Sequence, residues 1–185
     1  MNRIEAYEEA LHNNYLQATN TQIMEGMSWY WEAHRNCQSH AEILDIPLYQ
    51  FVAIVAALSP QKRWEKNIED AIKYISSGGK AKLFATGIMK DKCKQILKLD
   101  KDSLNTDKVN EILKGNKIKS FYENILRPYK SDKVTIDRHA IRSVNMEGTL
   151  TNKKYREISE VHKKVSKQIG IRPHELQAII WLTVR

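Results

Sequence analysis

At 185 residues with 42% apolar side chains, the chain suits one compact unit, or two small lobes sharing termini, and excludes wholesale disorder. Its 30 Lys plus Arg against 22 Asp plus Glu leave +8 and a pI near 9.4, which favours a polyanionic partner or marks no more than a lysine-rich proteome. Two distant cysteines outside any C-x-x-C, and six histidines in no H-x-x-x-H or H-E-x-x-H spacing, argue against a disulfide framework and leave a metal site or other cofactor without support.

Apolar spacing predicts a helix over residues 3–18 through Ile4, Tyr7, Ala10, Leu11 and Leu16. Asn20 or Thr21 is the expected cap of a second helix reaching about Leu44, with Ile23, Met27, Tyr30 and Trp31 on its buried stripe. After Pro47, Leu48 to Leu58 is almost wholly apolar and reads as a central buried helix. Ser59-Pro60 breaks it and is expected to open the next, which stops at Gly78-Gly79. Residues 80–104 are less regular, one or two short helices around Gly87. Thr106 or Asp107 starts a helix ended by Gly115, and a second follows at once and ends at Pro128. A short helix over Thr135–Val144, an amphipathic helix over 152–169, and a last helix opened by Pro173 complete the chain. No strand alternation or repeat is present, so the expected class is all-α.

Met1-Asn2-Arg3-Ile4-Glu5-Ala6 lacks the apolar core of a signal peptide, and the run Phe51 to Leu58 is too short to span a bilayer. The expectation is a cytoplasmic monomer away from membranes. Positive charge gathers at Lys114, Lys117, Lys119, Arg127, Lys130 and Lys133, and again over 153–167; both could contact phosphates, but for the second a solvated helix face is the better explanation.

Chemistry concentrates in Val134-Thr135-Ile136-Asp137-Arg138-His139-Ala140-Ile141-Arg142, a D-x-H-x-x-R spacing 18 positions after Lys119. An amine and a carboxylate suit attack on a sugar carbon and stabilisation of the charge that develops there. Residues 106–127 form two helices about a glycine turn, a helix-hairpin-helix whose amides can hold a phosphate without reading sequence. Each feature has a plainer reading. Asp137 caps a helix, Lys119 is solvated, Arg142 pairs with a carboxylate, and the hairpin is a structural turn.

Together these residues resemble the helix-hairpin-helix DNA glycosylase superfamily, which includes endonuclease III. Leu113, Gly115 and Lys119 fall on that group's L-P-G-V-G-x-K run, and Asp137, His139 and Arg142 on its V-D-T-H-x-x-R run. Ala57-Leu58-Ser59-Pro60-Gln61, followed by Asn67, is similar to its L-L-S-x-Q segment. The match covers about residues 50–145. It implies a DNA glycosylase with Asp137 stabilising the opening sugar, Lys119 forming a Schiff base with lyase activity, and Gln61 filling the space of a base turned out of the duplex. Gly115 and Lys117 would contact phosphate, while His139 and Arg142 orient the helix and the aspartate.

The sequence departs from that pattern. Asn116-Lys117 replaces the second glycine turn, so the turn must widen or place Asn116 in a left-handed conformation. Lys114 stands where the proline would be, and the four-cysteine cluster of endonuclease III is absent. A second resemblance spans nearly the whole chain. Trp29-Tyr30-x-x-Ala33-His34, Trp64-x-x-Asn67, Phe121-Tyr122-x-Asn124-Ile125 and Gln177-Ala178-Ile179-x-Trp181 are similar to small phage-borne proteins. Those proteins are distant relatives of the glycosylases and of enzymes that hypermodify thymine in phage DNA. It implies that Trp29, Tyr30, His34, Trp64, Asn67, Tyr122 and Asn124 line the cleft, with Trp31 and Trp181 left to packing. It also implies a setting in a bacterial or phage-infected cell.

The expected fold is a two-lobed glycosylase bundle. One lobe, 48–142, would contain the hairpin and Asp137, and the other would join 1–47 to 143–185, with the catalytic cleft between. Alternatives to base excision are a transferase that modifies a pyrimidine in the same cleft and a non-catalytic DNA-binding protein.

Overall fold

A computed structural model describes residues 2–101 and 105–185. Among the described residues there are ten α-helices and no strand: α1 Arg3–Gln17, α2 Asn20–Ile43, α3 Leu48–Leu58, α4 Trp64–Ser76, α5 Gly87–Leu97, α6 Thr106–Leu113, α7 Asn116–Leu126, α8 Arg138–Ser143, α9 Asn152–Ile169 and α10 Pro173–Val184. The class is all-α. No single described helix is long and apolar enough to cross a membrane.

Helix ends follow local chemistry, and three differ from the sequence expectation. Thr19 caps α2 in place of Asn20 or Thr21: its Oγ1 accepts the Gln22 N–H at 3.2 Å and its own N–H donates to Gln22 Oε1 at 2.9 Å. Pro60 does not open α4, which starts four residues later at Trp64, because Pro60 and Gln61 form a turn closed by the Lys62 N–H on the Ser59 carbonyl at 3.1 Å. Asp137, expected inside a helix over 135–144, is the N-cap of the shorter α8. Within 80–104 only α5 forms among the described residues, capped by Thr86; residues 102–104 lie outside them. Gly170, at φ 84°, ends α9 in the left-handed conformation that favours glycine.

The chain divides into two compact units, residues 1–32 with 127–185, and residues 33–126. Both ends of the chain meet in the first, but the boundaries are not those expected at 47/48 and 142/143. Residues 127–142 leave the hairpin's unit because Val134, Ile136, Ala140 and Val144 belong to a core built with Tyr7, Leu11, Ile158, Val165 and Leu176. Apolar burial of that kind is worth about 1.5–3 kcal/mol per large side chain and decides which unit a segment joins.

In the first unit α1 packs on α9 and α10, and α10 also on α8. The second unit is organised on α3, in which every residue from Tyr49 to Leu58 is buried, with α4, α5, α6 and α7 packed around it. Its one large polar side chain there, Gln50, is satisfied by donating to the Ile96 and Leu99 carbonyls at the end of α5, at 3.2 and 2.9 Å.

Candidate active site

In the first unit the approach to Asp137 is pinned from both sides. The Tyr155 hydroxyl donates to the Val134 carbonyl at 2.7 Å and accepts the Ile136 N–H at 3.2 Å. Between them Thr135 turns the other way, its Oγ1 3.3 Å from the Tyr30 hydroxyl, which donates to Gln177 Oε1 at 2.9 Å. Asp137 then accepts the His139 and Ala140 N–H groups, at 2.9 and 2.8 Å, both on Oδ1. A half-buried carboxylate is thereby fixed by one oxygen, and the cap does not use Oδ2.

The same unit holds two buried imidazoles. His162 donates from Nδ1 to the Ile158 carbonyl at 2.8 Å, leaving Nε2 as an acceptor with no partner among the described residues. Burial drives it down to about 4, against the opposing pull of the Ile158 carbonyl and the Asp137 carboxylate, so it is neutral at pH 7. His174 is likewise lowered by burial and donates from Nε2 to the Pro128 carbonyl at 2.8 Å, holding the 127–133 loop to α10. Sequence reasoning missed both. For His162 the available signal was its place four residues after Ile158, on the buried face of α9.

His139 stands edge-on to Trp181 with ring centroids 6.2 Å apart, and its Nδ1 has no partner among the described residues. Arg142 is exposed and makes no ion pair with a described residue, so the plainer reading of it as half of a carboxylate pair fails. Tyr30 is 3% exposed with its hydroxyl engaged, so it supports Thr135 and does not line an opening. Trp181 stacks edge-on with Trp29 and lies under the Arg185 guanidinium, a packing role.

The second unit carries Gln61, Trp64, Asn67, the hairpin and Lys119. Gln61 is exposed, at φ 61°, in the third position of the Ser59–Lys62 turn after Pro60. That position of a type II turn needs φ > 0 and ordinarily takes glycine. The turn is anchored beneath by Lys62, whose ammonium lies 2.7 Å from Asp70 Oδ2, both side chains nearly sealed at 9% and 4% exposure. Lys66 adds a second contact to Asp70 at 3.1 Å. Burial raises the Asp70 carboxyl, but the Lys62 and Lys66 ammonium groups outweigh it and hold the group below its ordinary value.

Asp70→Asn is therefore expected to destabilise the protein by about 3 kcal/mol in urea unfolding, since it leaves Lys62 buried without its counter-charge. A depressed carboxylate stabilises fully above its unfolded value of 3.8 and loses that contribution as pH falls through the lowered folded value. The variant should lack this part of the acid-side loss. Equal stability of the variant and the parent at pH 7 would show that the pair anchors nothing.

The α6–α7 hairpin is joined by Lys114 and Gly115 alone. Asn116 is not left-handed, one of the two alternatives expected for this turn, but is the first residue of α7. The turn instead puts Gly115 at φ 76° and Lys114 at φ 52°, ψ 155°, a region otherwise kept for glycine. Gly115 and Lys117 are exposed, and Lys119 is half-buried in the first turn of α7. Asn67 is 2% exposed and donates to the Val55 carbonyl at 3.0 Å, tying α4 to α3, while its Oδ1 has no partner among the described residues. Tyr122 and Asn124 are fully buried and His34 donates from Nδ1 to the Ile125 carbonyl at 2.9 Å. None of Asn67, Tyr122 and Asn124 can touch a base in this arrangement. Trp64, at the start of α4, is half-buried.

The structure thus brings Asp137, His139 and Arg142 together in one unit and Gln61, Trp64, Gly115, Lys117 and Lys119 in the other. The chain belongs to the family described as "Family of unknown function (DUF7178)", whose profile matches residues 2–185. No curated protein and no solved structure matches it.

Proposed function

We propose that this member of the DUF7178 family is a DNA glycosylase of the helix-hairpin-helix type, excising a base turned out of the duplex. The observation that carries the reading is where backbone strain falls. Four described non-glycine residues have positive φ. Asp45 and Asn145 are of types that tolerate it. The other two, Gln61 and Lys114, occupy the two turns that a glycosylase of this type would press against DNA. Strain of about 1–3 kcal/mol at each is unexplained by packing, since Gln61 and Lys114 are exposed, and it is what a pre-formed contact requires.

On this reading the hairpin amides and Lys117 take a phosphate, and Gln61 enters the gap left by the extruded base. The bond from the sugar C1′ to the base breaks with its electron pair leaving on the base, and the Asp137 carboxylate stabilises the cation that develops. Water completes hydrolysis. If the Lys119 amine attacks C1′ instead, a Schiff base forms and strand cleavage follows.

The test is incubation of the full chain with oligonucleotides bearing a panel of damaged and modified bases, followed by mass spectrometry and borohydride trapping. Free base with an abasic strand supports excision, and an adduct that disappears in Lys119→Ala assigns the amine. A strand whose base gains or exchanges an exocyclic group supports modification instead. The double use of Asp137 Oδ1 as a helix cap favours a second reading, a DNA-binding protein without catalysis. It is the outcome in which every strand binds and none changes.

A further inference from the structure

One surface of the second unit takes no part in the proposed chemistry. Between Lys80 and Lys94 there are five lysines and one aspartate. Lys92 is turned inward, its ammonium on the Leu113 carbonyl at the end of α6. The other four are exposed, and none makes an ion pair with a described residue. Lys90 and Lys94, one helical turn apart on α5, line with Lys82 and Tyr74 an open cavity of about 390 Å³. Gly79 leaves its wall free: a Cβ there would meet the Tyr74 hydroxyl at 3.2 Å. Asp91, the one acidic neighbour, is engaged by the Gln95 amide at 2.9 Å.

Beside this cavity in sequence stands Phe84, at 96% exposure the most open of the large apolar side chains described. Its display is built and not a loose end. Leu83 is anchored in the core at 8% exposure, the Ala85 N–H closes a three-residue turn on the Leu83 carbonyl at 3.0 Å, and Thr86 then caps α5. An exposed phenyl ring two residues from Lys82, in a cavity-lining segment with three ammonium groups to one carboxylate, is the pairing that single-stranded nucleic acid selects: cations for the phosphates, a flat apolar face for a base. A paired base has both faces covered by its neighbours, so the ring favours an unpaired one.

We propose that the 80–86 loop and the start of α5 form a site for single-stranded nucleic acid, with a phosphate among Lys82, Lys90 and Lys94 and an unpaired base stacked on Phe84. The site rests on the DNA reading above only for the choice of polymer, and its residues are separate from Gln61, the hairpin and Asp137.

The test measures binding of the full-length protein to a fluorescein-labelled oligothymidylate and to a blunt duplex over a range of salt. Phe84→Ala is expected to weaken the single strand roughly tenfold while leaving the duplex unchanged, as loss of one stacked base predicts. Lys90→Gln with Lys94→Gln is expected to reduce the salt slope for the single strand by about 0.7 for each phosphate that is no longer neutralised. Both positions are exposed, so unchanged thermal unfolding confirms that folding is intact. If the parent binds and these variants bind equally well, the site is overturned while the functional reading stands. If the parent binds no nucleic acid, both fall. Thymidine monophosphate competing as well as the oligomer would make the ligand a free nucleotide. Self-association in sedimentation that Phe84→Ala abolishes, with nucleic-acid binding unchanged, would make the occupant a second copy of the chain. Either result overturns the proposal.

Discussion

Asp137→Asn is expected to lower base release by about 10²–10⁴-fold, the range for losing a positioned acid–base or charge-stabilising group, while DNA affinity and thermal stability stay near those of the parent. The asparagine is chosen because of the cap. Both N–H bonds, from His139 and Ala140, end on Oδ1, and an amide carbonyl oxygen replaces that atom with little loss. What disappears is the negative charge and the carboxylate Oδ2. Asp137→Ala removes the cap as well and is expected to cost a further ~1 kcal/mol of stability. The pair of variants separates two roles that the sequence alone leaves joined. If asparagine retains full base release and only alanine is damaged, Asp137 is a helix cap and the glycosylase reading loses its centre.

His162 sharpens that measurement. It is neutral at pH 7, its Nε2 without a partner among the described residues, with the Asp137 carboxylate close enough to pull its titration upward against burial. That nitrogen is an acceptor, so it adds no positive charge beside the carboxylate near neutrality. The charge removed by Asp137→Asn is then that of the aspartate itself, not half of a compensated pair.

Periodic features of the chain were readable without coordinates. Apolar residues at helical spacing, with Thr151 before and Gly170 after, delimit α9, and the unbroken run from Phe51 to Leu58 marks α3 as the buried helix. Features that depend on a neighbour distant in sequence were not readable. Tyr122 and Asn124 look like cleft residues by type, yet both side chains are wholly buried within the second unit. The motif around Asn67 points to a base, whereas its amide binds the Val55 carbonyl of α3. The Lys62–Asp70 pair is not legible from spacing because its partners straddle the Arg63 break. An aspartate between Asn67, Ile68 and Ala71 on the buried face of α4 was a signal that some cation must reach it. Unit membership of residues 127–142 failed for the same reason. Helix order along the chain says nothing of which core a connecting segment enters, and Tyr155, which pins Val134 and Ile136, lies some twenty positions on.

Gly26→Ala is expected to be the most damaging single-methyl change in the first unit. Gly26 sits within α2, where glycine is unfavourable by about 1 kcal/mol relative to alanine, so an isolated helix would gain from the substitution. Packing reverses the sign. A Cβ at this position would lie 2.6 Å from both the Cα and the N of Ile179, and closer still to its Cγ1, so backbone of α10 and not merely a flexible side chain stands in the way. Ile179 is itself wholly buried and cannot swing aside, and α10 is held by α1, α8 and α9. The helices must therefore separate, opening voids along a seam that is closed in the parent. An overpacking loss of about 3 kcal/mol or more follows for alanine, and valine at this site should leave the first unit unfolded. Urea unfolding of the alanine variant, read beside Gly115→Ala as a glycine with nothing within 4 Å but φ 76°, separates a steric from a backbone cause. Gly115→Ala should lose only about 1–2 kcal/mol, the strain of φ > 0 for an L-residue. A Gly26→Ala protein as stable as its parent would show that α2 and α10 do not approach this closely in solution, and the cradle of Tyr30 and Gln177 that steadies Thr135 ahead of Asp137 would lose its frame.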